Sequence, residues 1–573
     1  MLLPPVIERE LRSASRRGMT YWARLLAAVA CLLIASPLVL MMEIGARYGS
    51  PTLPIQQLGP LFFRLFSAIA FFTALAAGWF FATDAIAHER REGTLELLFL
   101  APLKPWEVVL GKFVTVMWRG IQWLLAAVPL FALPILLGSV SGDDFVRLAC
   151  LAGNTLFWSV TTSLWASSRS RGIFEALVAT AILQSTLMVI PFVVDLGIAG
   201  FNPIHFKSHV SLLSPIGTWV HGFSTNTGEY WTSFALVHTE AWILLALTIR
   251  GTARQIRQDP SVSSSSVFGR LNNLWKYGRP RAREALRSRL IELHPIRWLV
   301  ERERGPIRFL TALPLVIVLS VAGISLAIGD PTALFVVGTL GGFVLGVAVT
   351  TLLALQASRF LVEARRTGSL ELLLVSPLST RAILSEQCRS LLRTFALPVG
   401  VLLASQIVLA VGQMQLTAGA AAIPPPAASG PGVSATAAMI DMARFQWLNL
   451  ATGVLVSLTG YAAVAWVGLW MGLACRQITL ALFATLAISK LAPMLVGSFA
   501  QTSLLPLVFS QRVPGWFPAV IAGVVGVAVN LGLIYFARHQ LLPDLRRIVD
   551  SPTSVLWPAI PRRRPQAPPI LDH

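Results

Sequence analysis

The chain has 573 residues, of which 55% are hydrophobic and 13% charged, with a formal net charge of +19. Soluble domains carry about 25% charged residues, so this balance excludes an ordinary soluble globular protein. A bilayer absorbs such an apolar excess, because each spanning helix needs about 20 mostly apolar residues.

The apolar runs are long and lack the two-residue alternation of a β-barrel. The expected fold class is all-α: a polytopic transmembrane helical bundle of about 12 spans, built as two six-span repeats with both termini cytoplasmic. In chain order, residues 5–24 follow Pro4-Pro5, carry Arg9, Arg12, Arg16, Arg17 and Arg24, and predict an amphipathic helix on the inner face rather than a cleavable signal. Spans are predicted at 25–42, 61–83, 113–137, 148–167, 173–199 and 231–249, giving a first unit over 1–250. A cytoplasmic linker at 251–294 holds the Ser-rich stretch 259–270 and then a basic, helix-forming segment. The second unit, 295–550, opens on a segment at 295–308 and has spans at 309–328, 333–356, 394–412, 447–474, 477–498 and 516–537. The Pro-rich tail 551–573, with Arg562-Arg563-Arg564, predicts disorder.

Charge placement sets the orientation. With the termini inside, cytoplasmic segments hold 38 of the 46 Lys and Arg residues, and outer loops hold five: Arg47, Arg147, Lys207, Arg444 and Arg512. Without the long loop 250–308 the ratio is still 24 to five. The basic charge therefore reflects topology and the anionic inner leaflet, not nucleic acid.

Internal self-similarity is the most informative feature. Residues 88–103 read HERREGTLELLFLAPL and residues 363–378 read EARRTGSLELLLVSPL, identical at nine of sixteen positions. Chance would give about one. Both copies follow the second span of a set of six. Gly93 breaks the preceding helix, Thr94 can cap a new one, and Pro102 ends it after about two turns. Leu95, Leu98 and Phe99 share a face and Glu96 points elsewhere. Pro105 and Glu107 suit the first turn of the next helix, and Ser379 could cap its counterpart. Such a short amphipathic connector could transmit force from a cytoplasmic partner; a plain interfacial loop accounts for the same residues.

The string EREGTLELL…PL…EVVLGK over 89–112 resembles the signature of permease subunits of type-2 ATP-binding-cassette transporters, a class dominated by exporters. The resemblance implies elbow helices at 5–24 and 295–308 and coupling helices at 89–103 and 364–378 that dock on an ATPase. The implied coupling residues are Glu89, Arg90, Arg91, Glu92, Gly93, Thr94 and Glu96 in the first copy, and Arg365, Arg366, Gly368, Ser369 and Glu371 in the second. The second copy departs from the pattern, with Thr367 in place of Glu92 and Glu386-Gln387 in place of Gly111-Lys112. The implied partners are two nucleotide-binding domains on ABC ATPase subunits and membrane lipid, in a cytoplasmic (inner) membrane. One chain supplies both units, so no second copy of itself is expected.

The chain lacks the phosphate-binding loop GxxxxGK[ST]: Gly111-Lys112 is followed by Phe113. No catalytic residue and no cofactor are expected here, and ATP and Mg would be bound by the partner. Cys31, Cys150, Cys388 and Cys475 have neither metal-ligand nor redox spacing. His205, His209 and His221 with Asp195 read as outer-loop polar residues rather than a metal site. Lys490 within a span either lines a pathway or snorkels to an interface. Asn154 and Gln184 are further pathway candidates, although such amides also serve as helix-packing contacts. The competing readings are a polytopic membrane enzyme acting on lipid and a non-transporting anchor or signalling partner.

Overall fold

The structure is a computed structural model. It describes residues 55–91, 104–136, 141–170, 172–198, 209–224, 227–257, 331–376, 379–421, 435–475, 477–509 and 516–550, with positions 284, 288, 314 and 315. The predicted spans 25–42 and 309–328 (apart from Pro314 and Leu315), the segments 5–24 and 295–308, the tail, and Glu92 to Leu103 lie outside the described residues. The chain divides into two units, Met1–Ser265 and Ser266–His573.

Among the described residues every regular element is helical. The first unit contains α1 (Ile55–Ala82), α2 (Ala87–Arg91), α3 (Pro105–Leu136), α4 (Gly142–Arg169), α5 (Ile173–Ile198), α6 (Pro215–His221) and α7 (Thr227–Arg257). The second contains α8 (Pro331–Arg366), α9 (Ser369–Val375), α10 (Thr380–Ala421), α11 (Ala435–Ala474), α12 (Ile478–Leu486), α13 (Ala492–Phe509) and α14 (Phe517–Asp550). A π-helical turn, Ala487–Leu491, joins α12 to α13.

Ten predicted spans thus coincide with helices, and among the described residues 8 helical stretches are long and apolar enough to cross a membrane. The other two are α1 and α4. α1 is apolar over Phe66–Ala82 among its described side chains. α4 is long but rich in Ser and Thr. Its Thr155, Ser159, Thr161, Thr162, Ser163 and Ser167 are all buried, because α1, α3, α5 and α7 all pack against it. Its hydroxyls bond back to their own helix, as Thr162 to Trp158 O (3.0 Å) and Ser163 to Ser159 O (2.7 Å), or to neighbours, as Ser159 to Leu75 O (2.7 Å). A helix that meets protein rather than lipid can be polar, provided each hydroxyl is bonded.

The second unit repeats this plan. α11, the fourth predicted span of its set, packs against α8, α10, α12 and α14. Both units bring the second and fourth spans together through small residues. In the first unit Gly78 of α1 faces Ser159, and a Cβ there would lie 2.5 Å from the Ser159 carbonyl carbon. In the second the glycines are on the fourth span: a Cβ at Gly472 would lie 2.7 Å from Ser358 O, and one at Gly468 2.7 Å from Ala357 Cβ. Close backbone approach, not large side chains, sets these contacts.

Capping follows the local sequence. Ser141 and Asp144 form a reciprocal capping box at the start of α4. Pro105 opens α3, and the Glu107 carboxylate accepts from the Lys104 N–H at 2.8 Å. Ser379 caps α10 by accepting from the Ala382 N–H at 3.2 Å.

Gly78→Ala and Gly472→Ala should each destabilise the chain by about 1–3 kcal/mol through overpacking. Gly453→Ala, where a methyl meets open space, should be neutral or stabilising by up to about 1 kcal/mol. Thermal unfolding in detergent reads all three.

Candidate functional site

The repeated motif lies where α1 and α8 end. In the second copy α8 runs through Arg366, Thr367 makes a turn, and Gly368 takes φ 71, a left-handed backbone. Only glycine adopts this readily, so Gly368 breaks the helix; the break predicted at its counterpart Gly93 lies outside the described residues. The short helix is narrower than the expected 364–378: residues 364–366 belong to α8, and α9 covers Ser369–Val375. Gly368 occupies the N-cap, and the Ser369 hydroxyl bonds to Thr367 Oγ1 (2.9 Å) and Ala364 O (3.3 Å) instead of capping.

One side chain anchors α9. Leu370 is buried with Leu361, Leu384, Leu469 and Leu541, tying the short helix to α8, α10, α11 and α14. Glu371 is exposed, and Leu372 and Val375 are 75% and 88% exposed. α9 therefore presents a carboxylate and two aliphatic side chains outward, held on a rigid base.

The motif arginines behave alike in both copies. Arg90 donates to Ser168 O (2.8 Å) and Ser170 O (3.3 Å) at the end of α4. Arg365, its counterpart, donates to Leu473 O (2.7 Å) at the end of α11. Each guanidinium binds carbonyls left open at a helix C-terminus and complements its negative end. Two more donors reinforce the first junction: the Ile86 and Ala87 N–H groups bond to Ser167 Oγ at 3.2 and 3.0 Å. Arg366 is exposed. The Arg91 side chain and Glu92, Gly93, Thr94 and Glu96 lie outside the described residues.

Glu89 faces inward and pairs with Lys112 at 2.8 Å, their side chains 15% and 13% exposed. The two ends of the 89–112 signature are thus joined. The second copy has Ala364 and Gln387 at these places. Both charges are replaced together, and Gln387 is buried with neither amide atom partnered among the described residues.

The pathway candidates have different surroundings. Gln184 is buried and donates to Ser159 Oγ and Thr162 Oγ1, both at 3.0 Å, clamping α5 to α4. Asn154 donates to Phe234 O (3.1 Å) and meets His238 Nδ1 (3.0 Å). The Trp242 indole N–H reaches His238 Nε2 at 3.1 Å. An indole only donates, so Nε2 accepts and Nδ1 carries the proton given to Asn154 Oδ1. This closed chain lines a cavity of about 410 Å³ with Phe113, Met117 and Phe157. Lys490 is exposed on its unit. Its ammonium lies 5.0 Å from the Tyr461 ring centroid, turned across to α11 rather than along its own helix to an interface.

Sequence reasoning missed two ionisable residues inside a span, His238 and Glu240. A charged or titratable side chain within an apolar run was the available signal.

On the expected outer side, Asp195 is buried and accepts three backbone N–H bonds, from His209 (2.9 Å), Val210 (2.8 Å) and Ser211 (2.7 Å). His221 Nδ1 lies 3.1 Å from Glu229 Oε2. Among the described residues no group of three or more His, Cys, Asp or Glu is placed to hold a metal; His205 is outside them. Asp195 organises a loop.

Two predictions follow from these contacts. Glu89→Ala and Lys112→Gln should each cost about 1–3 kcal/mol, and the double variant, which copies Ala364 and Gln387, less than their sum; a thermal-unfolding cycle measures the coupling. Asp195→Ala should cost about 2–4 kcal/mol by stranding three N–H donors, with increased protease cleavage near 209–211.

No curated protein matches the chain. Residues 17–253 match the family model described as ABC-2 family transporter protein, which covers the first unit to within α7 and less than half of the 573-residue chain.

Proposed function

We propose that the chain is the pathway-forming membrane component of an ATP-driven exporter, with two six-span permease units in one polypeptide, both termini cytoplasmic, in the inner membrane. Separate ATPase subunits bind ATP and Mg and hydrolyse the nucleotide. Two nucleotide-binding domains dock, one at each copy of the repeated motif, and no second copy of this chain takes part.

The observation that carries this reading is the repeated motif acting alike in both units. Its arginine ties the end of the second span to the end of the fourth. Force applied to the short connector would then reach two helices at once. The family match over 17–253 supports the transporter class for the first unit, and the break between units at 265/266 supports one permease unit on each side.

The motif residues divide by role. Glu371, with Leu372 and Val375, forms the contact surface in the second copy, and Glu96 is its counterpart in the first. Glu89, Arg90 and Arg365 position that surface. Gly368 and Gly93 supply the break that lets the connector turn, and Thr94, Ser369, Arg91, Glu92 and Arg366 flank it. Among the pathway candidates, Lys490 lies against the Tyr461 ring, whereas Gln184 and Asn154 are hydrogen-bonded within their unit.

Glu96→Gln with Glu371→Gln should lower stimulation of the partner ATPase about tenfold, the equivalent of about 1.4 kcal/mol at the contact, with an unchanged unfolding temperature. Unchanged stimulation would defeat the docking role. Purified complex should contain one copy of this chain per two ATPase domains; native mass spectrometry showing two copies would overturn the single-chain arrangement.

A further inference from the structure

The first unit holds a cavity of about 410 Å³ between α3, α4 and α7, walled by Phe113, Met117, Phe157, Phe234 and Trp242. Small-molecule sites span about 300–1,000 Å³. Gly153 of α4 also lines it, and a Cβ at Gly153 would meet nothing within 4 Å. The missing side chain is part of the space. Trp242 is both a wall and 54% exposed, so the cavity opens sideways from the unit. Along α7, His238 is about 16 Å from Thr227 and about 18 Å from Arg250, at about 1.5 Å per residue, and the hydrocarbon core is about 30 Å thick. The opening therefore faces the middle of the bilayer.

The walls are rings that hold one another. Phe157 meets Phe113 (5.4 Å, 69°) and Trp242 (5.2 Å, 70°) edge to face, and His238 stacks on Phe234 (5.9 Å, 7°). Fixed rings suit a flat, rigid guest over an acyl tail, which loses rotamer freedom when it is ordered. The polar wall calls for more than hydrocarbon. Asn154 is 5% exposed. Its Oδ1 accepts from His238 Nδ1, and one Nδ2 hydrogen goes to Phe234 O. An amide nitrogen carries two hydrogens, and the second has no partner among the described residues. It can only donate, so it calls for an acceptor. His238 has both ring nitrogens bonded. No charged side chain lines the cavity among the described residues; Glu240, two residues beyond His238, lies beside Trp158 instead. An ion at this depth without a counter-charge is costly, so the guest is neutral.

We infer that this cavity is a site for a neutral aromatic molecule bearing a carbonyl oxygen, which enters from the bilayer and places its rings among Phe113, Phe157 and Trp242 and its oxygen on the Asn154 amide. A bilayer lipid keeps its own carbonyls at the interface, about 15 Å away, and offers only hydrocarbon at this depth. The site goes beyond the permease reading and does not depend on it, since every group it needs belongs to the first unit.

The test is equilibrium binding to the full-length chain in nanodiscs, with empty nanodiscs as the blank. The probes are benzophenone, diphenylmethane (the same rings without the oxygen) and the anion benzoylbenzoate. Benzophenone should bind saturably and about fivefold more tightly than diphenylmethane, the net gain of a single hydrogen bond. Benzoylbenzoate should bind at least about tenfold more weakly than benzophenone. Gly153→Leu should abolish saturable binding with an unchanged unfolding temperature. If that variant misfolds, photolabelling of the unaltered chain decides: irradiated benzophenone should mark the peptides that carry Met117 and Trp242. Uptake no greater than in empty nanodiscs, binding unchanged in Gly153→Leu, equal affinity for diphenylmethane or benzoylbenzoate, or label spread evenly over the exposed helices would each overturn the site. Because no ATPase is present, none of these outcomes bears on coupling at the repeated motif.

Discussion

A polar group inside a bilayer has no water to bond, and the fourth helix of each six-span set is where that constraint is most visible. In the first unit α4 carries a run of Ser and Thr that lipid would not tolerate on its own. It is stable because α1, α3, α5 and α7 surround it and because its hydroxyls bond to its own turns or to neighbouring backbone. Its C-terminal carbonyls, which the helix cannot satisfy itself, take the Arg90 guanidinium. α11 meets the same need with Arg365. The repeated motif therefore has a structural task before any functional one: it closes the end of the fourth helix of each set.

That task limits what the motif can offer a partner. Arginines bound to helix ends position the connector, and its exposed face is carried by Glu371, Leu372 and Val375. The two units differ where tolerance is greatest. The Glu89–Lys112 pair fastens the first junction, while Ala364 and Gln387, whose amide has no partner among the described residues, stand in the second. Losing both charges together avoids leaving one uncompensated in a buried place, which is costlier than losing the pair. The glycines that permit close approach have likewise moved from the second span to the fourth. A close crossing needs only one small side, whichever helix supplies it.

Lys490 differs from the other two pathway candidates. Gln184 and Asn154 are bonded within their unit, as expected of residues that hold helices together. Lys490 has an aromatic face and an amide beside it but no described counter-charge, and the π-turn that carries it departs from regular helix at that point.

The sequence by itself determined the membrane class, the positions of ten helices now described, a glycine break in the repeated motif, the cap at Ser379 and the repeat. These depend on hydropathy, on φ restrictions and on local hydrogen bonds, which are written residue by residue. It did not reveal that Arg90 and Arg365 turn inward, that Glu89 meets Lys112, that α4 is a polar core helix, or that His238 joins Asn154 in one chain of hydrogen bonds. It also left open whether Lys490 runs to an interface or across to Tyr461. Those outcomes depend on which helix faces which across tens or hundreds of residues. A side chain's type says what it can bond, but only packing decides which partner comes within reach.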